Sequence, residues 1–336
     1  MSKTLLEFSN LVTEFHTEGT TVKAVNDISF SLNKGETIGI VGESGSGKSV
    51  TSLSAMRLIP SPPGIISGGE IIFHKKNGEK VDLLKASEEE MRSYRGNDIA
   101  MIFQEPMTSL NPVFTCGDQV LEAIMLHQKL DKNQAKNLTL ELFKKVQLPD
   151  PERIYSTYPH QISGGQKQRV MIAMAMSCEP SVLIADEPTT ALDVTTQAQI
   201  LDLLQELQQK HQMAMILITH NLGVVAEVCD DVSVMYLGRG AEKGPVDSIF
   251  HDSKHPYTKG LLESIPSINS AQGERLKSIV GTIPAPFNRP KGCTFHPRCP
   301  SSIKGVCDTY TPKYLPLNNE EKVSCFLHHD PEKEVV

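Results

Sequence analysis

Apolar and polar residues alternate along the first 40 residues, as in LEFSNLVTEF and AVNDISFSL, which predicts antiparallel β-strands. The segment EIIFHKK lies between two Gly-containing turn signals and predicts another strand pair. The helical spacing of apolar residues predicts mostly helical structure at 105–180 and an amphipathic helix at 198–212. One apolar stripe of the second helix is expected to pack in the core: Ile200, Leu203, Leu204 and Leu207. The pattern therefore predicts an α/β fold.

Two apolar runs lack this alternation, TIGIV at 37–41 and SVLIA at 181–185. Short runs that are apolar throughout are typical of strands in a parallel sheet that is buried on both faces. Such sheets bind ligands at the carboxyl ends of their strands, so the residues that follow each run are candidates for a site.

The first run is followed by GESGSGKS at 42–49, which fits G-x-x-x-x-G-K-[ST] and precedes a helix-compatible segment. Glycines let the backbone turn tightly, so that its N–H groups and the start of the helix meet phosphates. The lysine is expected to reach the β- and γ-phosphates and the last serine to ligate Mg²⁺. The alternative is a Gly/Ser-rich turn, which the strand before and the helix after it disfavour. The predicted nucleotide-binding residues are Gly42, Glu43, Ser44, Gly45, Ser46, Gly47, Lys48, Ser49 and Val50.

The second run ends in Asp186 and Glu187. Asp186 is expected to hold Mg²⁺ through water, and Glu187 is placed to act as a general base on the attacking water. Taken alone, an Asp-Glu pair after a strand is weak evidence for a site, because it is usually a solvated helix start.

Six motifs in this order resemble the ATP-binding subunits of ABC transporters: GESGSGKS, FQEP, ISGGQ, LIADEP, ALD at 191–193 and LITH. The resemblance runs from about residue 5 to at least residue 265. It implies a P-loop NTPase (RecA-like) core at 1–250, with an antiparallel β subdomain and a helical subdomain at about 105–180, followed by a small extension at 251–336. It also implies ATP and Mg²⁺ as cofactors.

The same resemblance implies roles for individual residues. Gln104 would sense Mg²⁺ and the attacking water, His220 would contact the γ-phosphate, and Asp193 would lie at a dimer seam. Phe15 would stack on adenine, although a Phe after a strand is as often a core residue. The signature loop would press on the nucleotide of the opposite subunit and comprises Ser163, Gly164, Gly165 and Gln166. Because the chain has one phosphate loop and one signature loop, two complete sites need two chains.

Three further segments resemble the peptide-importer branch of that family: FQEPMTSLNP at 103–112, HPYTKGLLESIP at 255–266 and GTIPAPFNRPKGCTFHPRCP at 281–300. This resemblance implies a second, related ATPase as the partner, two membrane permease subunits and, indirectly, an extracytoplasmic binding protein. Di- and oligopeptides are the expected cargo, and nickel, glutathione and murein peptides remain alternatives.

Four of the seven cysteines cluster near the end of the chain as C-x5-C-x7-C-x17-C: Cys293, Cys299, Cys307 and Cys325. Since disulfides are disfavoured in cytosol, such a cluster favours metal ligation. Some peptide-importer ATPases carry an iron–sulfur cluster at matching cysteines, which implies a [4Fe-4S] cluster here. Reduced thiols without a metal and a zinc site remain alternatives. Cys116, Cys178 and Cys229 are expected to be small buried hydrophobes.

Composition limits the remaining classes. The net charge of −7, from 33 basic and 40 acidic residues, argues against a general nucleic-acid groove. The apolar runs are shorter than a membrane helix requires, and the N-terminus lacks the apolar core of a secretory signal. We therefore expect a peripheral protein on the cytoplasmic face of the inner membrane. A soluble ABC protein acting on ribosomes or DNA, and a degenerate ATPase that binds nucleotide without hydrolysing it, are the competing classes.

Overall fold

The computed structural model describes residues 4–17, 19–105, 109–190, 192–265 and 278–330. Parts of three predicted motifs, at 106–108, 191 and 266, lie outside these residues. By their contacts, the described residues form two compact units. The first comprises those within 1–6, 32–36 and 73–218, and the second those within 7–31, 37–72 and 219–336.

The strands and helices have the following bounds. The strands are β1 (Thr4–Thr17), β2 (Thr20–Asn33), β3 (Thr37–Val41), β4 (Gly64–His74), β5 (Lys80–Asp82), β6 (Ile99–Ile102), β7 (Val182–Asp186), β8 (Ala214–Ile218), β9 (Asp231–Tyr236), β10 (Arg239–Pro245), β11 (Leu315–Pro316) and β12 (Lys322–Val323). The helices are α1 (Lys48–Ala55), α2 (Glu88–Tyr94), α3 (Cys116–His127), α4 (Lys132–Lys145), α5 (Pro151–Tyr155), α6 (Gly164–Ala175), α7 (Val194–His211), α8 (Leu222–Val228), α9 (Val246–Asp252) and α10 (Pro256–Glu263).

The first unit is built on a parallel sheet in which β7 lies between β6 and β8. Every residue of β7 and of β8 is buried, as the uniformly apolar run at 181–185 predicts for a strand covered on both faces. The predicted amphipathic helix is α7, and its stripe of Ile200, Leu203, Leu204 and Leu207 is buried in the core.

Helices α3 to α6 of the first unit pack on one another, which confirms the predicted helical character of this part of the chain. Their starts are fixed by side chains that accept hydrogen bonds from first-turn N–H groups. Asp131 and Gln134 form such a capping box on α4, and Ser163 and Gln166 form another on α6.

The second unit contains a sheet in which β3 runs parallel to β9, and β10 pairs antiparallel with β9 on one side and β12 on the other. Most of β1, β2 and β4 also belongs to this unit, in the order β2-β1-β4. The paired β1 and β2 agree with the alternation of the first 40 residues, and Phe8 and Phe30 stack across them at 4.3 Å.

The predicted boundary at residue 250 falls inside the second unit. Val323 of β12 lies opposite Glu242 of β10, and the N–H of Ser324 donates to the carbonyl oxygen of Ala241 at 2.9 Å. The C-terminal extension is therefore joined by backbone hydrogen bonds to the sheet that also contains β3. Among the helices of the described residues, none is both long enough and apolar enough to cross a bilayer.

Candidate nucleotide-binding site

The phosphate loop in the second unit links buried β3 to α1 through three glycines with positive φ. Gly42, Gly45 and Gly47 have φ values of +149°, +77° and +97°. A Cβ on Gly47 would lie 2.4 Å from the carbonyl oxygen of Ala24, and one on Gly42 would lie 2.2 Å from that of Met235. At both positions a side chain would collide with backbone, so the loop needs glycine for close approach as well as for its turn.

Lys48 is the first residue of α1 and is only 7% exposed. Its ammonium group donates to the carbonyl oxygen of Gly42 at 2.8 Å and to that of Glu43 at 3.2 Å. The cation is thus folded back along the loop. Gly47 is the N-cap of α1 and makes no side-chain cap hydrogen bond. Because the loop leads directly into α1, the positive end of the helix lies at the loop.

The first unit contains the predicted general base, Glu187, and its neighbours. Asp186 ends β7 and is 4% exposed, and Glu187 follows it with a φ of +46°. Gln104 donates from Nε2 to Oε2 of Glu187 at 2.9 Å, and the Thr190 hydroxyl donates to the same oxygen at 2.9 Å. The structure therefore brings two sequence-predicted residues, Gln104 and Glu187, into direct contact and adds Thr190, which sequence reasoning missed.

The signature residues and Asp193 also lie in the first unit, each at a helix start. The Ser163 hydroxyl accepts the N–H of Gln166, and the Gln166 side chain accepts the N–H of Ser163 at 3.0 Å. Asp193 caps α7, and hydrogen bonds from Thr196 hold the pKa of its carboxyl below its usual value. A Cβ on Gly165 would lie 2.8 Å from the Thr196 side chain, so a small residue is required there.

Two further residues predicted from the resemblance, Phe15 and His220, lie in the second unit. Phe15 is half-buried on β1, with its ring next to Gly64. His220 is exposed in the turn that precedes α8, where Asn221 caps the helix. Stacking on adenine by Phe15 and contact with the γ-phosphate by His220 remain predictions.

Sequence reasoning missed a contact between the phosphate loop and the C-terminal extension. The N–H of Glu43 donates to the Tyr257 hydroxyl at 2.8 Å. The Glu43 carboxylate accepts two hydrogen bonds from Arg298, at 2.7 Å and 3.0 Å. Both partners stand in the segments HPYTKGLLESIP and GTIPAPFNRPKGCTFHPRCP, but no local pattern there indicates a partner more than 200 residues away.

The four clustered cysteines lie in the extension, with Cys307 and Cys325 buried and Cys293 and Cys299 half-buried. Burial raises the pKa of Cys293 to about 12, and the nearby thiols of the other three add to the rise. Burial likewise raises the pKa of Cys325 to about 11. Among the residues that the structure describes, however, no three His, Cys, Asp or Glu side chains are grouped so that they could hold a metal ion. The thiols are neighbours, but as placed they do not form a ligand set.

The other three cysteines are only partly as predicted. Cys116 and Cys229 are buried, and burial raises their pKa values to about 11 and about 12. Cys178 is half-buried, so it is not enclosed in the core as the sequence suggested.

Residues 25–190 match the family described as ABC transporter, and residues 241–307 match the one described as oligopeptide/dipeptide transporter, C-terminal region. A putative peptide import ATP-binding protein of Brucella ovis is 49% identical over 96% of this chain and 96% of its own length. The chain belongs to the ABC transporter ATP-binding family. As a member of this family it is an ATPase.

Other relatives of this ABC ATPase carry related names. A dipeptide transport ATP-binding protein of Bacillus subtilis is 50% identical over 96% of this chain and 94% of its own length. A glutathione import ATP-binding protein of Pectobacterium atrosepticum is 52% identical over 81% of this chain and 44% of its own length. The structure of CbiO1 from Clostridium perfringens, part of an ABC transporter complex, covers 75% of this chain and 92% of its own, with a TM-score of 0.60 and 27% identity.

Proposed function

We propose that this ABC ATPase is the energy-coupling subunit of an importer for di- and oligopeptides. The observation that carries the cargo assignment is the match of residues 241–307 to the C-terminal region of oligopeptide and dipeptide transporters. The names of the Brucella and Bacillus relatives, which align with nearly the whole chain, point the same way.

For the reaction, we propose that residues 42–49 bind the triphosphate and that Lys48 neutralises the β- and γ-phosphates. The Ser49 hydroxyl and, through water, the Asp186 carboxylate are an oxygen donor set that suits Mg²⁺. The ion would withdraw charge from the phosphate oxygens. Glu187 takes a proton from water as its oxygen attacks the γ-phosphorus, and the bond to the ADP oxygen breaks. The hydrogen bonds from Gln104 and Thr190 support this role because they fix the Glu187 carboxylate.

The assembly follows from the same assignment. Ser163 to Gln166 would close over the nucleotide of a second, related ATPase, with Asp193 at the seam between the chains and His220 at the γ-phosphate. Two permease subunits would receive this pair on the cytoplasmic face of the membrane, and an extracytoplasmic binding protein would deliver the peptide. Binding of ATP would favour the closed pair and hydrolysis the open one.

We retain a [4Fe-4S] cluster at the four cysteines as a second, separate proposal. The donor chemistry and the proximity of the thiols support it, whereas their side-chain positions do not form a ligand set. Iron and acid-labile sulfide analysis of the full chain, purified without oxygen, decides the matter. About four irons and four sulfides per chain, lost on Cys299→Ser, would support the cluster. Iron-free protein with four titratable thiols in this segment would reject it.

The experiment for the cargo is uptake by cells lacking this chain. Loss of labelled di-, tri- and oligopeptide uptake, restored by the wild-type chain, is the expected result. Nickel and glutathione uptake are measured in the same cells, because glutathione import is named for one relative and both remain alternatives. Intact peptide uptake with lost nickel or glutathione uptake would move the cargo and leave the ATPase assignment in place.

A further inference from the structure

The C-terminal extension contacts the phosphate loop at Glu43. Arg298 donates from Nη1 to Oε2 of Glu43 at 2.7 Å and from Nη2 to Oε1 at 3.0 Å, a bidentate pairing. The Arg298 side chain is 5% exposed and that of Glu43 is 24% exposed. An ion pair with this geometry and little exposure is screened far less than a surface pair.

The arginine is itself held in place. Its Nε donates to the carbonyl oxygen of Val280 at 3.2 Å, and its Nη1 lies 3.4 Å from the Tyr236 hydroxyl. It ends the 3₁₀ turn His296–Arg298, and the neighbouring Phe295 packs against Tyr236. The guanidinium is thus a fixed group of the extension and not a mobile surface cation. The hydrogen bonds from Arg298 to Glu43 also raise the pKa of Arg298.

Tyr257 makes the second contact. It lies in the first turn of α10 and is fully buried. Its ring lies 4.7 Å from the Tyr236 ring and 5.3 Å from the Phe295 ring, measured between centroids. Its hydroxyl accepts the N–H of Glu43 at 2.8 Å. The extension therefore holds Glu43 by its backbone and by its side chain at the same time.

Glu43 is itself one of the residues that orient Lys48. The Lys48 ammonium donates to the carbonyl oxygens of Gly42 and Glu43, so the position of the Glu43 peptide sets where the lysine rests. Without Arg298, the loop would also present an unpaired carboxylate beside the bound phosphates. Repulsion between this negative carboxylate and the negative phosphates would weaken nucleotide binding.

We propose that Arg298 and Tyr257 are positioning residues for nucleotide binding, acting through Glu43 on the start of the phosphate loop. The proposal rests on the assignment of residues 42–49 as the phosphate-binding loop. It makes the extension a working part of the ATP site, beyond any role in cargo or assembly. The competing explanation is that the pair only attaches the extension to the rest of the second unit.

The test is calorimetric binding of MgATP to the full chain. Arg298→Met keeps the length of the side chain and leaves the Glu43 carboxylate unpaired, so MgATP should bind about tenfold more weakly. Arg298→Met combined with Glu43→Gln removes that carboxylate as well and should regain most of the loss, which makes the two changes strongly non-additive. Arg298→Lys keeps the charge without the bidentate geometry. Its affinity for MgATP should lie between those of Arg298→Met and of the double variant.

Two variants separate positioning from attachment. Tyr257→Phe leaves the Glu43 N–H without its acceptor and should weaken MgATP binding a few-fold, with unchanged circular dichroism. Lys304→Met removes an exposed cation of the same extension and should bind MgATP like the wild type.

Two outcomes would overturn the proposal. Wild-type affinity in Arg298→Met and Tyr257→Phe would overturn it and leave attachment as the role of the pair. So would a double variant that binds as weakly as Arg298→Met alone. Lys48→Ala is run alongside: if it binds MgATP normally, the loop assignment itself fails, which is a result distinct from failure of the positioning role.

Discussion

The buried His255, at the start of helix α10, should make the stability of the protein depend on pH by an amount that can be calculated. His255 is 4% exposed, and its Nδ1 accepts the N–H of Tyr257 at 3.0 Å as the cap of α10. Burial lowers the pKa of its imidazole from 6.5 to about 3. The unfolded chain therefore takes up a proton below pH 6.5 that the folded chain does not, and this contribution to stability is complete above that pH and is lost as the pH falls towards 3.

The size of the effect follows from the two pKa values. Between pH 7.5 and pH 5.0 the histidine should remove about 2 kcal/mol from the free energy of unfolding. His255→Asn keeps an oxygen that can cap α10 and removes the titration, so this part of the pH dependence should disappear. Nearby Glu242 has the opposite sign, because burial raises its pKa and its contribution is lost as the pH rises. The difference between wild type and variant isolates the histidine.

The assay is urea unfolding at pH 7.5 and pH 5.0, followed by circular dichroism because the chain has no tryptophan. The matched control is His251→Asn, at an exposed histidine of α9, which should keep the wild-type difference between the two pH values. An equal loss of stability in wild type and His255→Asn on acidification would refute the reasoning.

Three further changes test the site and the core. Glu187→Gln should keep MgATP binding while phosphate release falls at least about a hundredfold, and wild-type turnover would contradict its role as base. Gly47→Ala should weaken MgATP binding at least about tenfold, because its Cβ would lie 2.4 Å from a carbonyl oxygen, whereas Gly78→Ala, also at positive φ but with open space, should bind normally. Leu204→Ala, at a fully buried position, should lower the free energy of unfolding by about 3 kcal/mol, and Leu126→Ala, at a 75% exposed position, by far less. Equal losses in the two leucine variants would contradict the core assignment.

Local sequence patterns were enough to predict the elements that present the candidate site. The apolar run before Gly42 and the glycines after it specify strand, turn and helix within a few residues, and β3 and α1 follow. The same holds for β7 with Asp186 at its end, since a strand buried on both faces needs a continuous apolar run. These features depend on residues that are close together in the sequence, so a single amino-acid sequence is enough to predict them.

Contacts between distant residues could not be predicted in this way. Gln104 and Glu187 are 83 positions apart, and only the fold sets their 2.9 Å hydrogen bond. Glu43 and Arg298 are 255 positions apart, and their pairing depends on an extension whose strand β12 has only two residues. A strand so short has no period to read. The resemblance to a family identified the motifs but did not predict that the extension contacts the phosphate loop.

The most direct measurement is ATP hydrolysis and peptide uptake recorded together in vesicles that contain the assembled transporter. The account predicts that Glu187→Gln in this chain abolishes peptide uptake and strongly reduces hydrolysis, while MgATP still binds. Peptide uptake at the wild-type rate in that variant would contradict it, because import would then be powered without the site of this chain.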